Sequence, residues 1–173
     1  MSGPTPRVAV VVGNPRPASR TLAAALRVAR ELTGEEPDVV VELGTLGPAV
    51  LDWQDPDVAR LVEQVGSADL VVIASPTYKA TYTGLLKVFL DRFAGGTGLR
   101  GVVVPLMIGA APGHSLAPEL SLRPVLAEIG GITVRGHYVL EDQYDDPAAY
   151  ADWLDAIHPT VSSLLVNLTG AVA

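Results

Sequence analysis

Hydrophobic positions along the chain fall into two alternating patterns. Five runs rich in β-branched residues recur: Arg7–Val12, Val39–Leu43, Leu70–Ser75, Gly101–Ile108 and Ile132–Leu140. The first four are almost continuously apolar, which is the pattern of strands covered on both faces, as in a parallel sheet. Between the runs, apolar residues return at helical spacing. This predicts helices over Thr21–Leu32, from Asp55-Pro56 to about Val65, over Thr83–Phe93 and over Leu116–Ile129. A closing helix over Pro147–Leu168 is expected to break near Pro159. Asp55 and Pro56 suit an N-cap and first helical position, and Gly34, Gly66, Gly95, Gly96, Gly130 and Gly131 stand where helices should end.

Regular β-α alternation implies an open, doubly wound α/β sheet with helices on both faces. Five parallel strands with an anion-sized loop after the first suggest the flavodoxin-like order 2-1-3-4-5. No repeat or linker interrupts the pattern, so residues 1–173 read as one domain. In such sheets, ligands bind beyond the carboxyl ends of the strands at the switch point, here the loops after Val12, Ala74 and Ile108.

The first loop, GNPRPAS, runs from Gly13 to Ser19 and opens directly onto a helix. A helix N-terminus presents unpaired N–H groups and a positive dipole end. Asn14, Ser19 and Thr21 add side-chain donors, and Arg16 and Arg20 add positive charge. The loop contains neither G-x-G-x-x-G nor G-x-x-x-x-G-K-[ST], so neither the dinucleotide fingerprint nor the P-loop applies. What it offers is a cradle for a terminal phosphate. The second loop, Ser75-Pro76-Thr77-Tyr78-Lys79, leaves a buried strand end where backbone groups and a Tyr can frame a flat ring. In the third, Gly113-His-Ser115-Leu-Ala117 approximates the G-x-S-x-G nucleophile elbow, with Asp142–Asp146 and His158 as nominal triad partners. A hydrolase would leave the phosphate cradle unexplained, and the chain is short for that fold. Trp53, after the second run, is expected to fill a loop core. The acidic stretch Glu141–Asp146 is expected to be a solvated loop that could border a cofactor entrance.

Hydrophobic residues make up 49% of the chain and charged ones 18%. So few charges suggest that some surface is covered in a homo-oligomer, a homodimer or homotetramer, through the helices at Thr83–Phe93 and Leu116–Ile129. The net charge of −7 argues against a nucleic-acid partner. No run of about 18 apolar residues exists to span a membrane, and Met1–Pro6 lacks a signal-peptide core, so a cytoplasmic location is expected. With no cysteine, disulfides, thiol catalysis and Cys-based zinc sites are excluded. The three histidines show no metal-ligand spacing.

Taken together, the loops resemble the NADPH-dependent FMN reductases of flavodoxin-like fold, and among them the reductases that supply reduced flavin to alkanesulfonate and methanesulfonate monooxygenases. The family's G-S-x-R-x-x-S-R-[ST] loop is matched by GNPRPASRT, with Asn14 in place of Ser. Its P-x-Y-[KR]-A-[ST]-[YF]-[ST]-G-x-L-K motif is matched from Pro76 to Lys87, and Pro105–Leu126 is similar without a gap. The resemblance implies FMN and NADPH or NADH as cofactors. It assigns the FMN phosphate to Arg16, Ser19, Arg20 and Thr21, within a cofactor-binding loop that includes Gly13 and Asn14, whose side-chain amide can still donate. It assigns the ring and ribityl chain to Pro76, Thr77, Tyr78 and Lys79. Gly109 and Ala110 would present amides to the flavin's polar edge, with His114 beside it. No protein acid or base is then needed, since hydride passes from nicotinamide C4 to flavin N5 between stacked rings. A flavin-dependent monooxygenase is the implied partner. Two other readings keep the fold: tightly bound FMN reducing quinones or azo compounds, and a non-enzymatic FMN-binding electron carrier. Leu120 stands where the sulfonate-linked reductases carry Tyr or His in a π-bulged helix associated with flavin release. The gapless match implies that the helix keeps its length while losing that side chain.

Overall fold

The computed structural model describes residues 5–170. Strand β1 (Val8–Val12) lies inside a parallel sheet, between β2 (Val39–Glu42) at the edge and β3 (Leu70–Pro76). Beyond β3 comes β4 (Val102–Gly109), which pairs with both β5 (Ile132–Thr133) and β6 (His137–Leu140). The order β2-β1-β3-β4-β5 is the doubly wound order expected from the sequence. Every residue of β1 is buried because alternate side chains enter different cores. Val8, Val10 and Val12 pack with helices α1 (Arg20–Thr33) and α6 (Ala148–Gly170). Ala9 and Val11 pack with α3 (Pro56–Gly66), α4 (Gly84–Leu90) and α5 (Arg123–Glu128) on the other face. Among the described residues, no helix is long and apolar enough to cross a membrane.

Four local readings are corrected. The run Ile132–Leu140 forms two strands rather than one. Val103 pairs with Thr133 and Leu106 with His137, so Val104 and Pro105 face three residues, Val134–Gly136. Val103 and Gly109, at the odd positions of β4, accept from Val134 and Glu141, so Pro105 turns its missing N–H toward this edge. The extra residue is a bulge at that gap. Glu119 accepts a hydrogen bond from the Gly136 amide there. Pro159 does not break α6. It lies on the exposed side of the helix, where water can solvate the carbonyl whose donor proline lacks.

Trp53 does not fill a core, being 62% exposed. A helix α2 (Leu43–Leu46) and a 3-10 turn (Gly47–Leu51) precede it, and Arg92 donates to the carbonyls of Asp52 (2.9 Å) and Trp53 (3.4 Å) while lying 5.5 Å over the indole. The cation and the backbone ties hold the ring at the surface. Finally, the helix expected over Leu116–Ile129 is composite. Pro118–Leu122 forms a π turn, in which the Arg123 amide reaches back five residues to the Pro118 carbonyl, and α5 follows. Leu120 projects from this turn at 73% exposure.

Candidate functional site

The loops at the carboxyl ends of β1, β3 and β4 are tied together by a few short bonds. Gly13 donates its amide to the Ala74 carbonyl (2.7 Å) and accepts from the Thr83 hydroxyl (2.6 Å). Thr83 is also the N-cap of α4, accepting from the Leu86 amide (3.1 Å). Ser75, fully buried, accepts from the Thr83 amide (3.1 Å) and donates to the Pro76 carbonyl (2.8 Å). A Cβ on Gly13 would fall 2.6 Å from Leu86 Cβ, so glycine lets β1 turn away against α4. On the other side α2 packs onto the same loop, where a Cβ on Gly44 would lie 2.5 Å from the Pro15 carbonyl oxygen.

Above this base the first loop is internally braced. Asn14 Oδ1 accepts from the Arg16 amide (2.9 Å) and Asn14 Nδ2 donates to the buried Thr21 hydroxyl (3.1 Å). Ser19 caps α1 by accepting from the Leu22 amide (3.2 Å). Ala18 adopts a left-handed φ of 51°, and its amide is held by Glu42 (2.7 Å). In the first turn of α1 the Leu22 and Ala23 amides are taken up by Ser19, while those of Arg20 and Thr21 have no acceptor among the described residues, the kind of open helix start that favours an anion. Among the described residues, the exposed Arg16 guanidinium makes no ion pair. Arg20 does, 2.8 Å from Glu141.

These loops enclose a cavity of about 550 Å³, within the usual range for nucleotide-sized ligands. Asn14, Arg16, Ser19, Arg20, Thr21, Pro76, Thr77, Tyr78, Gly109 and Ala110 line it. Three residues assigned from sequence do not. Gly13 lies beneath the cavity as a packing glycine. Lys79 occupies the tip of a tight turn with Ala80, at φ 52° and 67°, closed by Tyr78 and Thr81 exchanging backbone bonds of 2.8 and 3.2 Å. His114 closes a 3-10 turn (Pro112–His114) outside the lining. Pro17, Ala18, Ile108 and Glu141 line the cavity without having been assigned to it. Glu141 enters because β6 runs parallel to β4, and its amide donates to the Gly109 carbonyl (3.0 Å).

The far wall has a feature the sequence did not reveal. Tyr138 crosses over Gly109 and donates its hydroxyl to the Ala111 carbonyl (2.9 Å). A Cβ on Gly109 would sit 2.2 Å from that hydroxyl, so any side chain at 109 would have to push the Tyr138 tip aside. Burial pushes the Tyr138 phenol up from its ordinary pKa, keeping it a neutral donor. Beside it, the buried Thr77 hydroxyl lies near enough to the Tyr138 phenol to oppose part of that rise, but not in hydrogen-bonding geometry, so it is left without a geometric partner. A buried orphan of this kind at a cavity wall is where a ligand's polar atom gains most. The nucleophile-elbow resemblance finds no support: Ser115 lies in an exposed turn, and the ring of His158 lies 3.4 Å from Ser162 on α6.

The whole stretch carrying these loops, residues 6–146, matches the NADPH-dependent FMN reductase family. The chain belongs to that family. An Escherichia coli protein named FMN reductase (NADPH) is 35% identical over 128 residues, covering 71% of this chain and 66% of its own length. The chain thus spans just under two thirds of that relative. A Pseudomonas fluorescens protein named NADH-dependent FMN reductase SfnF is 30% identical, with 84% of this chain and 82% of the relative covered. Among solved structures, an NADH:FMN oxidoreductase in its apo form superposes with a TM-score of 0.79 at 26% identity, covering 94% of this chain and 90% of that one. Family membership agrees with the flavodoxin-like topology.

Proposed function

We propose that this protein uses NAD(P)H to reduce FMN and releases the reduced flavin to a partner monooxygenase. The observation carrying this reading is the cavity itself. It joins the start of α1, with Arg16 alongside, to a strand-end wall lined by Thr77, Tyr78, Gly109 and Ala110. Such a site suits a ligand with a phosphate at one end and a polar aromatic ring at the other. Asn14, Arg16, Ser19, Arg20 and Thr21 would hold the phosphate, and the Thr77 hydroxyl and the amides near Gly109 the ring. When bound, FMN supplies the acceptor for a hydride equivalent, so that NAD(P)H, FMN and one proton give NAD(P)+ and reduced FMN. The protein's own work is to orient the flavin, exclude water from one face and stabilise negative charge at its polar edge.

Release is favoured by an open cavity whose charged side chains are half in solvent. Exposed Leu116 and Leu120 on and beside the π turn are the surface we assign to self-association or to the oxygenase. A cytoplasmic homo-oligomer belongs to the same proposal. The test is the rate of NADPH oxidation by flavin-stripped protein as free FMN is titrated in. Saturable oxidation that turns over FMN in excess of enzyme supports the reading. Activity that stops growing at one FMN per subunit, or appears only with an added quinone, contradicts it.

A further inference from the structure

Arg20 and Glu141 both line the cavity, from elements far apart in the chain, and their side chains meet there, with Nη1 2.8 Å from Oε1. Both are held by backbone structure rather than by flexible loops. Arg20 is the first residue of the Ser19-capped helix α1. Glu141 directly follows β6, and its amide is fixed to the Gly109 carbonyl at 3.0 Å. The guanidinium also lies 5.6 Å over the Tyr144 ring, on the Glu141 side. The other acid near the loop, Glu42, behaves differently, accepting from the Ala18 backbone amide (2.7 Å) and engaging no guanidinium.

We propose that Glu141 is a specificity-determining residue that weakens binding of phosphorylated flavin by competing with its phosphate for Arg20. This rests on the phosphate-cradle reading above. A phosphate dianion arriving at the start of α1 can recruit Arg20 only by sharing or displacing Glu141, and the carboxylate repels the dianion directly. Neither effect touches a flavin without phosphate. The side chains are 57% and 51% exposed, so water screens the pair and its weight is modest. A modest weight suits a site that must let FMN go, and it explains why an acid belongs in an anion cradle.

The experiment is a titration of FMN and of riboflavin, by quenching of flavin fluorescence, into flavin-stripped wild type, Glu141→Gln, Arg20→Gln and the double variant. Glu141→Gln is expected to bind FMN about two- to fivefold more tightly, the scale of a half-exposed ion pair, with riboflavin unchanged. In the Arg20→Gln background the gain should shrink. Glu141→Asp tests the same point through reach, tightening FMN by less, should the Gln variant fold poorly. Unchanged or weaker FMN binding in both Glu141 variants, or an equal change for riboflavin, overturns the proposal. Wild type binding riboflavin as tightly as FMN overturns the phosphate cradle, and Glu141's role with it. A clear wild-type preference for FMN that Glu141→Gln leaves unaltered overturns the role of Glu141 alone.

Discussion

Two clusters of polar and aromatic groups border the core of this protein, and they differ in what their polar atoms do. Where α6 docks on β6, His137 stacks on Trp153 at 4.5 Å and shares a 2.8 Å hydrogen bond with the Ala149 carbonyl. Trp153 donates to the Arg135 carbonyl (2.9 Å) and Tyr150 to that of Tyr144 (2.7 Å). Every one of these groups is satisfied within the fold. Burial drives the Tyr150 phenol up to about 12 and the His137 imidazole down, so both are kept neutral. At the carboxyl ends of β1, β3 and β4, among the described residues, the Thr77 hydroxyl has no partner of hydrogen-bonding geometry, the Arg20 and Thr21 amides at the start of α1 are open, and Arg16 has no ion pair. The α6 cluster has the outward features of a reactive site, a histidine among aromatics, yet it is built for stability. The strand-end cluster is plainer in composition and retains the unused bonding capacity that a ligand needs.

That contrast breaks most sharply at Trp153. Replacing it with Ala should cost about 3–5 kcal/mol of stability, the usual range for a buried Trp. Urea unfolding would measure the loss, while the ratio of FMN to riboflavin affinity in the folded protein stays unchanged. A shifted ratio would mean the two regions are not independent. Arg16→Ala is the converse. Losing a charge-assisted bond worth about 1.5–3 kcal/mol should raise the FMN dissociation constant about ten- to a hundredfold, with the urea midpoint hardly moved. Arg20→Ala should cost less, because Glu141 already occupies that guanidinium.

The smallest effect is one of pH. His137 is held neutral in the fold, chiefly by burial, whereas the unfolded chain titrates at an ordinary imidazole value of about 6.5. Below that pH the unfolded chain takes up the proton first, so stability should fall as the pH drops from about 7.5 to about 5.5. His137→Gln should flatten the slope of urea midpoint against pH over that window. An unchanged slope in the variant would remove His137 from the stabilising cluster.

The sheet was legible in sequence because its signal is local. A central parallel strand must be apolar on both faces, and β1, β3 and β4 say so in consecutive residues. The braced loop after β1 was legible for the same reason, since Asn14, Ser19 and Thr21 brace or cap residues within seven positions of one another. What escaped depends on distant partners. The division of the last strand follows from Pro105 on its neighbour, Trp53 is held at the surface by Arg92, and Glu141 reaches the cavity through the register of β6 on β4. Gly109 shows the same limit from the other side. In sequence it reads only as a backbone contact for a ligand, and the close approach of the Tyr138 hydroxyl, which a Cβ would meet, gives no local signal. Lys79 sits in a turn with positive φ at two non-glycine residues, which no turn signal in the sequence announced.

The most direct measurement is a crystal structure of the protein grown with FMN. The phosphate should lie against the Ser19–Thr21 start of α1 within reach of Arg16, and the ring should lie beside Thr77 and Gly109-Ala110. A flavin bound elsewhere, such as the groove of Arg27, Tyr150 and His158 between α1 and α6, would contradict the assignment of this cavity.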